Sequence, residues 1–126
     1  MHKIQTIFEL AGKYACLALC YLEIAGIDDE HKFDYLLKGL EKGYLDDDFY
    51  VSKPVEFLRM AGLKAIDIYK SDYADSEEKL VTEYQWKGLP GSHFVITQNG
   101  KIVYNSLDKS FIVENGGPVS VRRIVL

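Results

Sequence analysis

The hydrophobic period changes about halfway along the chain. Up to Gly62, apolar residues recur every three or four positions, which is helical spacing. Ile4, Ile7, Phe8 and Leu10 predict a short first helix, broken at Gly12. A second helix starts near residues 13–15, runs to Ala25 and stops at Gly26. Leu17, Leu19, Tyr21, Leu22 and Ile24 make it apolar nearly all round, the mark of a helix buried on every side. Asp28 and Asp29 offer N-caps for a third helix through Phe33, Leu36, Leu37 and Leu40, ending at Gly43. Beyond a polar loop at Asp46–Asp48, Ser52 as cap and Pro54 in the first turn predict a fourth, with Val55, Leu58 and Met60 on its apolar side and Gly62 as its stop.

The second half alternates in the manner of strands. Ala65–Tyr69 reads as one strand, and residues 76–86 read as a short helix. His93–Thr97 and Lys101–Asn105 flank Asn99-Gly100, the strongest short-range hairpin signal. Phe111–Val113 and Val119–Leu126, joined by a turn over Glu114–Pro118, predict a second hairpin. Helices followed by antiparallel strands define an α+β fold, with the Cys-bearing helix packed on a C-terminal sheet of four or five strands. No repeat or linker divides the 126 residues, so residues 1–126 are expected to form a single domain.

Composition narrows the function classes. With 48% hydrophobic and 27% charged residues the chain can bury a real core without staples. A net charge of −4 argues against a broad basic face for nucleic acid. The longest apolar stretch, Ala15–Ile27, contains Glu23 and falls short of the roughly 20 residues that span a bilayer. Glu9 and the lack of a cleavage pattern speak against a signal peptide. A cytoplasmic protein without membrane or nucleic-acid partners is the expectation, and the oligomeric state is left open.

The chemistry must then come from a few side chains. The two cysteines, Cys16 and Cys20, are four apart in a helix and match neither a disulfide framework nor a zinc motif. Free thiols, no metal and no cofactor are expected. Asp46–Asp48 lacks the Gly and Glu of a calcium loop and reads as solvated. His2 and His31 read as surface, Cys20 as core, and Arg122-Arg123 as a solvated face. Tyr73, Tyr84 and Trp86 either pack the core rim or wall a groove beside His93.

Three residues fall into a chemical order. Cys16 lies in the first turn of the central helix, where the helix dipole and unpaired amides favour an anion. His93 opens a strand, and Asn105 ends the next one, twelve residues later. Symmetric pairing about Asn99-Gly100 sets His93 near residue 106, so Asn105 comes within about one position of facing it. The Asn can fix the imidazole tautomer and leave the other ring nitrogen for a thiol. Beside a charged His, a thiol pKa can drop from about 8.5 to roughly 3.5–7.5. The thiolate attacks a carbonyl, the imidazolium protonates the leaving group, and the Cys16 amide is a candidate oxyanion donor. Asp108 is an alternative third member, and both it and Asn105 also read as turn residues.

At this point the chain resembles the papain-like cysteine peptidases, most closely small bacteriocin-processing types and uncharacterised phage-encoded relatives. The stretches that carry the resemblance are Lys13–Leu22, Lys42–Val51, Gly91–Ile96 and Val103–Ser106. It implies a papain-like fold in which Cys16 is the nucleophile, His93 the general base and Asn105 the orienting residue. It implies a peptidase or amidase acting on a peptide or protein substrate, or on a cell-wall amide. Two positions depart from the pattern. The family's oxyanion Gln, about six residues before the Cys, is Leu10 here, with Gln5 further off, and the small residue after the Cys is Leu17. These departures also admit an inactive relative that serves as a binding module, of phage or mobile-element origin.

Overall fold

The structure is a computed structural model that describes residues 15–89, 91–107 and 110–126. The expected helix over residues 4–10 lies outside them. Helices α1 (Cys16–Ile24), α2 (Asp29–Glu41) and α3 (Pro54–Met60) come first. They are followed by β1 (Asp67–Asp72), β2 (Leu80–Gln85), β3 (His93–Gln98), β4 (Lys101–Tyr104), α4 (Phe111–Asn115) and β5 (Gly117–Val125). The strands form one antiparallel sheet in the order β1-β5-β2-β3-β4. The protein is therefore α+β, with N-terminal helices packed on a five-stranded sheet. No helix among the described residues is long and apolar enough to cross a membrane.

Local signals place the helices well. Asp28 caps α2 by accepting from the His31 backbone N–H, and its carboxylate also meets the exposed His31 ring. The helix closes at Gly43, whose φ of 75° is the left-handed exit that suits glycine. The start of α3 differs from the expectation. Lys53 occupies the cap position without a side-chain cap bond, and Ser52 Oγ donates to the Tyr44 carbonyl instead. Pro54 still opens the helix, where its missing N–H costs nothing.

Helix α1 is the centre of the core. Ala18, Cys20 and Leu22 are fully enclosed, and Cys16, Leu17 and Tyr21 nearly so. They pack with Val81, Phe94 and Ile96 from the near face of the sheet and with Phe57 and Leu58 from α3. On the far face Thr82, Val95 and Val121 are also buried, and Thr82 Oγ1 lies 2.8 Å from Thr97 Oγ1. β2 and β3 are thus covered on both faces. This explains why their sequences show little alternation.

Two expectations fail in the second half. Residues 76–86 do not form a helix: Leu80–Gln85 is β2, paired with β3 on one side and β5 on the other. The mixed polar and apolar pattern follows neither period cleanly, and pairing on both sides decides for the strand. Phe111–Val113 is not a hairpin strand but the first part of α4, where Ser110 Oγ accepts from the Val113 N–H. β5 pairs instead with β1 and β2, strands far away in sequence. The Asn99-Gly100 turn is as expected, with φ of 55° and 75° at the two residues.

Candidate active site

The end of the sheet beside the α1 N-terminus gathers the expected residues. His93 opens β3, and Asn105 directly follows β4. A register shift between Ile96 and Thr97 moves the pairing by one residue, setting Tyr104 opposite Ile96. Tyr104 joins the α1 face with Ile96, and alternation sends Asn105 to the same side as His93. The two side chains meet, with His93 Nε2 2.7 Å from Asn105 Oδ1. Asn105 Oδ1 also accepts the Leu107 backbone N–H at 3.0 Å, which marks that atom as the oxygen. An amide oxygen only accepts, so Nε2 carries the proton and Nδ1 of the neutral ring is left with the basic lone pair. Asp108, the alternative orienting residue, lies outside the described residues.

Cys16 comes to the same place from the other side. Backbone amides of Phe94, Leu17 and Cys16 itself lie near enough to its sulfur to favour the thiolate. Phe94 is the residue after His93, so the thiol sits against the peptide that links the two. Among the described residues the imidazole makes its hydrogen bond to Asn105, not to the sulfur. The structure therefore joins His93 and Asn105 directly and brings Cys16 to the neighbouring backbone. Cys20 is one helical turn further in and fully buried.

The electrostatics reverse one expectation. Burial pushes the Cys16 thiol above its ordinary 9.0, and the three amides only partly offset it. Burial also lowers His93 below 6.5, and the Asn105 bond opposes that shift without cancelling it. The resting pair is consequently a neutral thiol and a neutral imidazole, rather than the thiolate–imidazolium pair expected from the helix N-terminus. Only 6% of Cys16 is exposed, so the dipole acts on a thiol that water barely reaches.

Residues that the sequence did not single out support the site. Glu83 lies opposite Phe94 in the β2–β3 register and is buried. Its carboxylate accepts from Ser92 Oγ and Ser120 Oγ, each at 2.6 Å, with Lys70 and Arg122 3.6 and 3.7 Å away. Arg122 is thus part-buried and lies over the Phe94 ring, not on the solvated face expected of it. Burial alone would raise Glu83, but the two hydroxyls and two cations hold it down at about 2. The group therefore contributes stability above its ordinary 4.5 that disappears as pH falls from 4.5 toward 2. The loss is on the order of 3 kcal/mol. Urea midpoints measured across that window should fall, and Glu83→Gln should flatten the slope; an unchanged slope in the variant would assign it to other carboxylates.

The aromatic cluster divides. Tyr84 pairs with His93 across the β2–β3 ladder, and Tyr73 donates to Asp75. Trp86 makes an edge contact with Phe111, ring centres 4.9 Å apart, and helps line an open groove near Leu89, Gly91 and Val119. No group of three or more His, Cys, Asp or Glu side chains that could hold a metal occurs among the described residues. Leu17 is core, and Leu10 and Gln5 lie outside the described residues.

Fold and site together define an α+β protein with an oriented His–Asn pair next to a buried helix-terminal thiol. A family model described as "protein of unknown function, DUF261" matches residues 3–125, and the chain belongs to that family. No curated protein and no solved structure gives a significant match.

Proposed function

We propose that this protein is a papain-like cysteine hydrolase, a peptidase or amidase in which Cys16 is acylated by a peptide, protein or cell-wall amide. The observation that carries this reading is the double use of Asn105 Oδ1, by His93 Nε2 and by the Leu107 N–H. It holds the imidazole in the one neutral tautomer whose free nitrogen, Nδ1, can accept a thiol proton. A neutral pair reacts by general-base catalysis: as Cys16 Sγ bonds to the carbonyl carbon, Nδ1 takes its proton. The imidazolium returns that proton to the departing nitrogen as the C–N bond breaks. Water, deprotonated by the same nitrogen, then cleaves the thioester. This reading requires the thiol and the imidazole, which share no hydrogen bond in the structure, to close on each other when the acyl donor is bound. In this reading the Cys16 backbone N–H, at the first turn of α1, is the donor to the developing oxyanion. A cytoplasmic setting, with both thiols reduced, belongs to this reading.

The burial of the thiol favours a second reading, a binding module on the same fold that no longer turns over. An acyl-transfer assay separates the two. Incubation with p-nitrophenyl acetate should add one acetyl group per chain at Cys16, seen by mass spectrometry, followed by slow release. A chain that stays unmodified at Cys16 over hours rejects the hydrolase in favour of the binding module.

A further inference from the structure

We propose that two buried charges, Glu83 and Lys32, are positioning residues for the His93–Asn105 pair. Each grips the chain one residue before a member of the pair. Ser92, which precedes His93, donates to Glu83 Oε2 at 2.6 Å, and Gln85 Nε2 donates to Ser92 Oγ at 3.1 Å. Tyr104, which precedes Asn105, lies under Lys32 Nζ, 4.6 Å from the ring centre. Lys32 is held in turn by Glu23 of α1 at 2.6 Å and by Asp29 of α2.

Both charges are costly to keep. The side chains of Glu83 and Lys32 are 8% and 4% exposed, and burying ions is unfavourable unless their partners repay the lost hydration. Glu83 answers to Lys70 and Arg122, and Lys32 to Glu23 and Asp29, so each charge is neutralised locally. Apolar side chains of the same size would fill these sites without that cost. What they would not do is fix direction. Among the described residues β4 is a four-residue edge strand paired on one side only, and its residues Ile102 and Val103 are exposed. Backbone pairing alone would let its end fray, taking Asn105 with it. The ammonium over Tyr104 ties that end to both α1 and α2. Ser92, just before His93, is joined to β2 through Glu83 and Gln85.

The inference rests on the proposed thiol chemistry only for its kinetic readout; the geometry of the ring can be read without it. In ¹H–¹⁵N spectra, His93 of the parent protein should show the single Nε2–H tautomer. Glu83→Gln and Lys32→Met should shift the pattern toward an average of both tautomers, whereas Lys32→Arg, which keeps the cation, should retain the single form. Ser92→Ala and Tyr104→Leu cut the same two links from the strand side without removing a buried charge, so they decide the matter should the charge variants fail to fold. Acetylation of Cys16 should fall roughly tenfold in the variants, a part of the 10²–10⁴ that a positioned base supplies. A single Nε2–H tautomer persisting in both Ser92→Ala and Tyr104→Leu overturns the inference. If the parent Cys16 is never acetylated, the hydrolase reading falls while the tautomer result still decides this one.

Discussion

Cys16→Ala should abolish acylation by a thiol-reactive acyl probe, and Cys20→Ala should leave it nearly unchanged. The two thiols share a helix and lie one turn apart, yet their surroundings differ. Cys16 reaches the sheet end, where amides of Phe94, Leu17 and its own residue partly offset the burial that raises its pKa. Cys20 is fully enclosed, and burial, reinforced by the nearby Cys16, raises its pKa well above 9.0. A thiol that neither ionises nor meets solvent behaves as a small apolar side chain. Cys20→Ala removes one buried sulfur and should cost stability of about 1 kcal/mol, visible in a thermal melt but not in labelling. Mass spectrometry of the intact variants gives the answer directly. Equal labelling of both variants would mean that the probe reacts with some other group, and the assignment of Cys16 as nucleophile would be lost.

His93→Ala should slow acylation of Cys16 by roughly 10²–10⁴ at neutral pH, the usual worth of a positioned general base. The pH profile separates a base from a merely structural ring. His93 is active when neutral, and burial keeps it neutral to below 6.5, so the rate should hold steady from pH 8 down to about 6.5 and fall only at lower pH. Above pH 9 it should climb again as the burial-raised thiol begins to ionise. In His93→Ala the acid limb should vanish, leaving a rate that rises with pH through direct thiolate formation alone. An acid limb that survives the substitution would assign that titration to another group. A plateau reaching down to pH 4 in the parent protein would instead indicate a resting thiolate–imidazolium pair. The profile therefore tests the neutral resting pair as well as the identity of the base.

Much of this site was legible without coordinates because its signals are local. Asn99-Gly100 demands positive φ at two successive residues and sets the β3–β4 hairpin, while the register shift between Ile96 and Thr97, which no local signal announces, turns Asn105 toward His93. The all-round apolar pattern of residues 15–25 is enough to bury the Cys16 helix, and Asp28 with Gly43 bounds the next one. Leu80–Gln85 failed because Thr82, Glu83 and Gln85 interrupt its apolar residues and the pattern follows neither the strand nor the helix period cleanly. It is a strand because β3 and β5 supply hydrogen bonds on both sides. Misreading it also left Glu83 out of the candidate site. Phe111–Val113 failed for the opposite reason: its β-favouring residues were outweighed by a Ser110 cap, and β5 pairs with β1 and β2 instead.

What the amino-acid sequence determined by itself was the fold class, the hairpin, and the order in which a thiol, an imidazole and an amide follow one another along the chain. Those depend on spacing and on residues whose backbone preferences are strong. What only the tertiary structure decided was the electrical state of that site. Burial is a property of the whole packed chain, and it turns the thiol pKa upward where the helix terminus alone would turn it down. Glu83 and Lys32 likewise meet charges that are distant in sequence, Arg122 for the one and Glu23 for the other, over separations where no local pattern operates.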